Sequence, residues 1–262
     1  MNIYKIIRIF ALLVFAVSFS VWGYTQLMYL DADVTYKDLQ KKVIKTEESG
    51  KAEENGTDEK QSEGGVGTEN TTPWLYVDTE ELFDINHDYI CWIYACDGLI
   101  SYPVVKGKDN EEYLHHTFFG DKSFVGSIFA DYRTNMDDFQ CLIYGHSMKN
   151  RTMFRLIADY KEEEFCQKYP YIYIFGENSR TKYEIFSVYN CNGTEILTAL
   201  DKSEEEREAF IKELKSRSLY TLPITPTPND KIISLITCDV SNSDKRVVVN
   251  AVKTEEITKG HL

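Results

Sequence analysis

The chain has 262 residues, of which 43% are apolar, and a formal net charge of −13. That length suits one medium domain with an anchor and a stalk, and it is too short for two large domains. The apolar share excludes global disorder, and the acidic balance argues against nucleic-acid binding, which needs clustered Lys and Arg.

Residues 1–8 carry Lys5 and Arg8 and no acid. An apolar run over 9–23 fades through 24–30, and Asp31 and Asp33 follow. A helix of ~20 apolar residues spans ~30 Å, so residues 9–30 are expected to be a transmembrane signal-anchor. The flanking charges place residues 1–8 in the cytoplasm and the remainder outside the cell membrane. A cleaved signal peptide is the rival reading, although the window 24–29 lacks a small-x-small cleavage site. Residues 31–73 form the next block. Its first part, to about Lys45, has the pattern of a short juxtamembrane helix. Residues 46–72 hold almost no apolar side chains. Such a segment cannot offset its ordering entropy and reads as a flexible charged stalk. Residues 74–255 are expected to form the globular domain, and 256–262 a polar tail.

Within the domain, strands are expected at 99–105, 126–131, 140–145, 171–175, 182–189, 231–237 and 246–252. Many short strands suggest a barrel or a sandwich. The clearest helix covers 203–217, where Ser203 and Glu206 form a capping box and Lys215 and Arg217 close the last turn. Shorter helices are expected at 151–159, at 162–168 and around Glu80–Leu82.

Six cysteines occur, at 91, 96, 141, 166, 191 and 238, without a C-x-x-C pair or zinc-finger spacing. A Cys91–Cys96 disulfide is one reading and buried free thiols the other. The adjacent pair His115-His116 would point to opposite faces of a strand, so it reads as structural, as does His87. No metal and no cofactor is expected.

Three segments carry chemistry. The strand ending in Tyr144-Gly145-His146-Ser147-Met148 closes on a Gly-His turn. The strand Ser234-Leu235-Ile236-Thr237-Cys238-Asp239 ends in Thr-Cys. Arg246 opens the strand after it. Taken singly, each residue has a bland reading: a buried thiol, a structural imidazole, a solvated cation. Gathered at one barrel rim they suit acyl transfer. Cys attacks as thiolate, His exchanges the proton with the leaving amine, and Arg forks donors toward the negative oxygen of a tetrahedral intermediate.

These segments resemble the signature of sortases, the cell-wall transpeptidases of Gram-positive bacteria. Ser234 stands where the family's T-L-x-T-C strand usually begins with Thr. Further stretches resemble class B. They are Ile85-Asn86-His87-Asp88 before Trp92-Ile93, then Tyr102-Pro103-Val104-Val105 with Asp109-Asn110 and Tyr113-Leu114. Gly126-Ser127-Ile128-Phe129-Ala130-Asp131-Tyr132-Arg133 and Met153-Phe154 continue the match. The likeness covers about 78–252.

The resemblance implies a mostly β fold: an eight-stranded barrel with an N-terminal helical extension and a helix inserted before the Cys strand. It implies Cys238 as nucleophile, His146 as acid/base and Arg246 as oxyanion or substrate stabiliser. Tyr144, Ser147, Thr237 and Asp239 are further substrate-binding candidates. For Asp239 plain surface solvation is the competing reading, and for Tyr144 packing. The implied reaction cleaves a C-terminal sorting motif of a secreted protein after Thr, holds the acyl group on Cys238 and passes it to an amine of a peptidoglycan precursor. Three rivals remain open: a cysteine peptidase using water, a pilin-polymerising sortase, and a non-enzymatic surface-binding β-domain. The polar tail and the lack of an Asp-Pro-aromatic lid argue against the second.

Overall fold

A computed structural model describes residues 3–46, 75–176, 179–200, 202–242 and 244–258. Residues 47–74, with nearly all of the expected stalk and the domain start at Pro73-Trp74, lie outside the described residues. The chain divides into two compact units, 1–39 and 40–262.

Helix α1 spans Ile3–Val43. It is long and apolar enough to cross a membrane by length and composition. The expected juxtamembrane helix is not a separate element, because no proline interrupts residues 24–43 and Lys37 pairs with Asp33 one turn back, at 2.8 Å.

The second unit is built on strands. A small sheet pairs β1 (Ile44–Thr46) with β2 (Leu75–Val77). Helix α2 (Thr79–Ile85) follows, capped by the Asp78 carboxylate, which accepts from the Glu81 N–H. Eight strands then close a barrel. They are β3 (Tyr89–Ala95), β4 (Ile100–Val105), β5 (Ile128–Ala130), β6 (Gln140–Tyr144), β7 (Tyr171–Phe175), β8 (Ser179–Asn192), β9 (Ile232–Cys238) and β10 (Lys245–Thr258). The order around the barrel is β10-β8-β7-β3-β4-β5-β6-β9, closing on β10. The pairs β4–β5 and β6–β9 are parallel and the rest antiparallel. The expected mostly β, eight-stranded fold is the one observed.

Strand β3 was not expected from periodicity. Five of its seven residues are buried, and a strand covered on both faces shows no alternation. β8 and β10 run beyond their expected ends, and β10 reaches Thr258 through Lys253, Glu255 and Glu256. Their mutual pairing satisfies the backbone there despite the polar side chains.

The helix expected at 151–159 is a 3₁₀ turn at Arg155–Lys161 instead. Arg151 and Met153 adopt left-handed φ of 67° and 57°, which no right-handed helix accommodates. Helix α3 (Glu163–Lys168) lies as expected. Helix α4 (Glu204–Arg217) starts at the Ser203–Glu206 capping box. It buries Phe210, Ile211 and Leu214 against Leu142, Phe186, Ile232, Ile236 and Val248.

A polar chain crosses this core. Gln140 Nε2 donates to Ser234 Oγ at 2.8 Å, and Ser234 Oγ donates to Asn250 Oδ1 at 2.7 Å. All three residues are buried. Ser234, which departs from the usual Thr, therefore supplies a hydroxyl that links β6, β9 and β10. Asn250→Ala strips the Ser234 hydroxyl of its acceptor. Urea denaturation should show a loss of about 1–3 kcal/mol, the cost of a buried unsatisfied polar group. A loss within about 0.5 kcal/mol, typical of surface positions, would show that the chain does not matter to stability.

Candidate active site

Parallel pairing sets the site. β6 and β9 run side by side with Tyr144 opposite Ile236, so both end at one rim. The Gly145 N–H donates to the Ile236 carbonyl at 3.2 Å, and Thr237 Oγ1 donates to the Gly145 carbonyl at 2.8 Å. These bonds clamp the Gly-His turn to the Thr-Cys strand end. Gly145 is required by space, since a Cβ there would lie 2.4 Å from Ile128 Cδ1 and 2.7 Å from Phe154 Cγ. β10 starts at the same rim, where Arg246 stands directly opposite Cys238. Directly opposed residues share one face of the sheet.

His146, Cys238 and Arg246 thus line one cleft of about 350 Å³. Asn110, Leu114, Phe129, Tyr144, Gly193 and Ile196 are among its other walls. His146 Nε2 lies 2.9 Å from the Leu114 carbonyl. A carbonyl only accepts, so Nε2 carries the proton, and in the neutral ring Nδ1 is the nitrogen that accepts one. The Phe154 N–H donates to the His146 carbonyl at 3.0 Å, fixing the backbone beneath the ring.

Cys238 differs from the other five thiols. All six cysteines are free, and Cys238 is the one that is not buried. Burial pushes the Cys141 thiol up to about 11 and the Cys96 thiol up to about 12, and it drives Cys91 higher still. Such thiols stay protonated and inert.

The other candidates separate. Tyr144 lines the cleft, with its ring stacked on Phe129 at 5.5 Å between centroids. Thr237 borders the cleft, but its hydroxyl is committed to the Gly145 carbonyl. Ser147 bridges to Met153. Its Oγ is buried without a partner among the described residues, and it is not part of the cleft wall.

Asp239 is not a solvated surface acid. It is 5% exposed. Lys161 Nζ donates to both of its oxygens at 3.0 Å, and the Ser241 N–H and hydroxyl donate to Oδ1 at 2.8 and 2.7 Å. Burial alone would raise its pKa, but the Ser241 hydrogen bonds and the Lys161 charge outweigh it and hold the carboxyl below its usual range. The acid therefore pins the β9–β10 turn to the 3₁₀ segment.

His116 Nδ1 is engaged with the Glu112 carbonyl at 2.7 Å and His87 Nδ1 with the Phe83 carbonyl at 2.8 Å, in keeping with structural roles. Among the described residues no cluster of three or more His, Cys, Asp or Glu is placed to hold a metal.

Sequence reasoning puts groove loops around 191–230 but does not single out Gly193 and Ile196 as the cleft walls there. They lie in the β8–α4 connection, which carries no periodic signal. Asn110 and Leu114 stood inside the class B likeness, but only the fold shows that the Leu114 carbonyl meets His146.

A closed mixed barrel with a thiol, an imidazole and a guanidinium at one rim has the features of a cysteine acyl-transfer enzyme. The family described as the sortase domain matches residues 93–254. Sortase B of Listeria monocytogenes is 31% identical over 177 residues, covering 66% of this chain and 72% of the relative. The crystal structure of Clostridium perfringens sortase B superposes with a TM-score of 0.65 at 38% identity, covering 68% of this chain and 100% of that one. A Staphylococcus aureus sortase B–substrate complex gives a TM-score of 0.62 at 29% identity, over 67% of this chain and 84% of that one. The chain belongs to the sortase family, and within it to class B. Members of this family are cysteine transpeptidases of Gram-positive cell-wall anchoring.

Two substitutions probe the geometry. Gly126 has φ of +61°, and a Cβ there would lie 2.7 Å from the Leu114 carbonyl oxygen and 3.1 Å from His146 Cδ2. Gly126→Ala should displace the ring and slow single-turnover acylation by ~10²-fold, the cost of ~1 Å of misplacement. A wild-type rate in the folded variant would remove this contact from the mechanism. Lys161→Met removes the partner of Asp239. The folded pKa of Asp239 lies below its unfolded value of about 3.9. The pair's stabilisation is therefore full above that value and is lost as pH falls through the folded pKa. The stability gap between wild type and variant should be present at neutral pH and shrink below about pH 4. A gap that does not change with pH would show that the pair's charge adds nothing.

Proposed function

We propose that this chain is an anchored transpeptidase that joins secreted proteins to the cell wall, with Cys238 as nucleophile, His146 as acid/base and Arg246 as oxyanion stabiliser. The observation that carries the reading is the opposition of Cys238 and Arg246 across β9 and β10, with His146 in the same cleft.

The Cys238 thiolate adds to the carbonyl carbon of the Thr in a sorting motif. Negative charge develops on the carbonyl oxygen, where the Arg246 guanidinium donates to it. The C–N bond then breaks. His146 gives the departing amine its proton, and the acyl group stays on sulfur as a thioester. An amine of a peptidoglycan precursor attacks that thioester and passes its proton to the imidazole. The C–S bond breaks and the thiolate returns. The solved S. aureus sortase B–substrate complex supports a substrate site on this fold.

Residues 9–30 would act as the signal-anchor. Lys5 and Arg8 would lie on the cytoplasmic side, and residues 31–73 would hold the catalytic domain, residues 74–255, outside the cell. The reading calls for no cofactor, metal or nucleic acid.

The test incubates the protein with a sorting-motif peptide, with and without hydroxylamine or a wall-type amine. Added amine should raise turnover and appear in the product, and product formed only with water would make the enzyme a peptidase. Cys238→Ala should abolish turnover in a folded protein. Arg246→Ala should lower kcat by ~10²–10³-fold, as removal of an oxyanion donor does, and His146→Ala by ~10²–10⁴-fold, the range of acid–base catalysis. A variant that keeps wild-type turnover takes its residue out of the mechanism.

A further inference from the structure

A second cavity opens at the opposite end of β6 and β9 from the reactive rim. It measures about 480 Å³, larger than the catalytic cleft, and its walls are polar. They come from the turn entering β6, the β8–α4 connection with the start of α4, and the turn entering β9.

The acids of this cavity are already engaged. Asp137 pairs with Lys231 at 2.7 Å. Asp138 accepts the Asn135 N–H at 2.7 Å, and Asp230 accepts the Thr227 N–H at 2.6 Å. Arg133 is held by both oxygens of Asp131, at 2.9 and 2.8 Å.

Two cations remain, Lys202 and Arg207. Among the described residues neither has a carboxylate within ion-pair distance. Both lie over aromatic faces. Arg207 Cζ is 4.8 Å from the Phe139 ring centroid, and Lys202 Nζ is 5.7 Å from that of Phe210. Arg207 Nη1 reaches only the Pro228 carbonyl, at 3.5 Å, and its Nε–H is buried without a partner among the described residues. A guanidinium stacked on a ring is weakly hydrated and pre-organised, and its unmet donors suit the oxygens of an anion.

The same stretch of chain walls both cavities. Gly193 and Ile196 line the catalytic cleft, whereas Ala199 and Leu200 line the far cavity. Between them the Leu197 N–H donates to Tyr189 Oη at 3.0 Å, and the Ala199 N–H donates to Gln140 Oε1 at 2.7 Å. Gln140 continues through Ser234 to Asn250, on the strands that carry Cys238 and Arg246.

We propose that the far cavity is a binding site for an oxyanion, a phosphate or carboxylate group, held by Arg207 and Lys202, and that residues 193–200 transmit its occupancy to the catalytic cleft. The binding half stands independently of the catalytic reading, because it is measured without turnover.

The experiment uses the full chain in non-ionic detergent micelles. Inorganic phosphate and glutarate are titrated in separate calorimetric arms, and the rate of Cys238 alkylation by iodoacetamide is followed with and without each. At least one anion should bind saturably, and the arm that responds identifies the source chemistry. Arg207→Gln should weaken that binding at least about tenfold, the loss of a bidentate charge-assisted contact. Lys202→Gln should weaken it too, and Lys212→Gln, on the exposed face of α4, should not. Thermal melting of each variant checks the fold, and the half-buried Lys202 gives a second position that keeps the test open should Arg207→Gln unfold. Saturation should change the alkylation rate at least about twofold in wild type and leave it unchanged in Arg207→Gln. No saturable binding of either anion, or wild-type affinity in both cavity variants, overturns the site. Binding without any change in alkylation overturns the transmission.

Discussion

The structure depends on one parallel pairing, that of β6 with β9. Parallel neighbours cannot be joined by a hairpin, and here the chain makes β7, β8 and α4 before it returns. The reward is that Gln140–Tyr144 and Ile232–Cys238 point the same way and end at the same rim. Register then decides chemistry. A slip of one residue would turn every side chain of β9 to the other face and take Cys238 away from Arg246. The bond from Thr237 Oγ1 to the Gly145 carbonyl is one of the contacts that oppose such a slip.

One sheet face serves two purposes along its length. Toward one end Leu142, Ile232 and Val248 pack beneath α4. At the other end the same alternation presents Tyr144, Cys238 and Arg246 to the cleft. The packed half holds the strands rigid, and strand-end side chains inherit that rigidity. The buried Gln140–Ser234–Asn250 chain gives this face a polar spine, and its members are satisfied across three strands rather than left as isolated polar atoms.

The thiols and acids show the same sorting by position. Six cysteines share one side-chain chemistry, yet burial keeps five protonated and leaves Cys238 at the rim. Asp239, one residue further on, is drawn inward by Lys161 and Ser241 and serves the turn. Its sequence setting beside the nucleophile suggested either a groove contact or a solvated acid, and nothing local announced a lysine 78 positions away.

Much was legible from local pattern. The Ser203–Glu206 capping box marked α4, and short β-rich runs between turn signals marked the strands at 171–175 and 231–237, because these signals follow from local backbone preference and hydrogen bonding. The Gly-His turn, the Thr-Cys strand end and the downstream Arg gave the family likeness and the three candidate catalytic residues. β3, buried on both faces, lost its alternation, and the three-residue strands β1 and β2 exist only through each other. The left-handed backbone at Arg151 and Met153 removed an expected helix. Barrel closure, the bond from His146 to the Leu114 carbonyl and the cleft walls at Gly193 and Ile196 were decided by tertiary structure alone. Each joins residues far apart in sequence, and sequence periodicity reports which way a side chain faces, not what it meets.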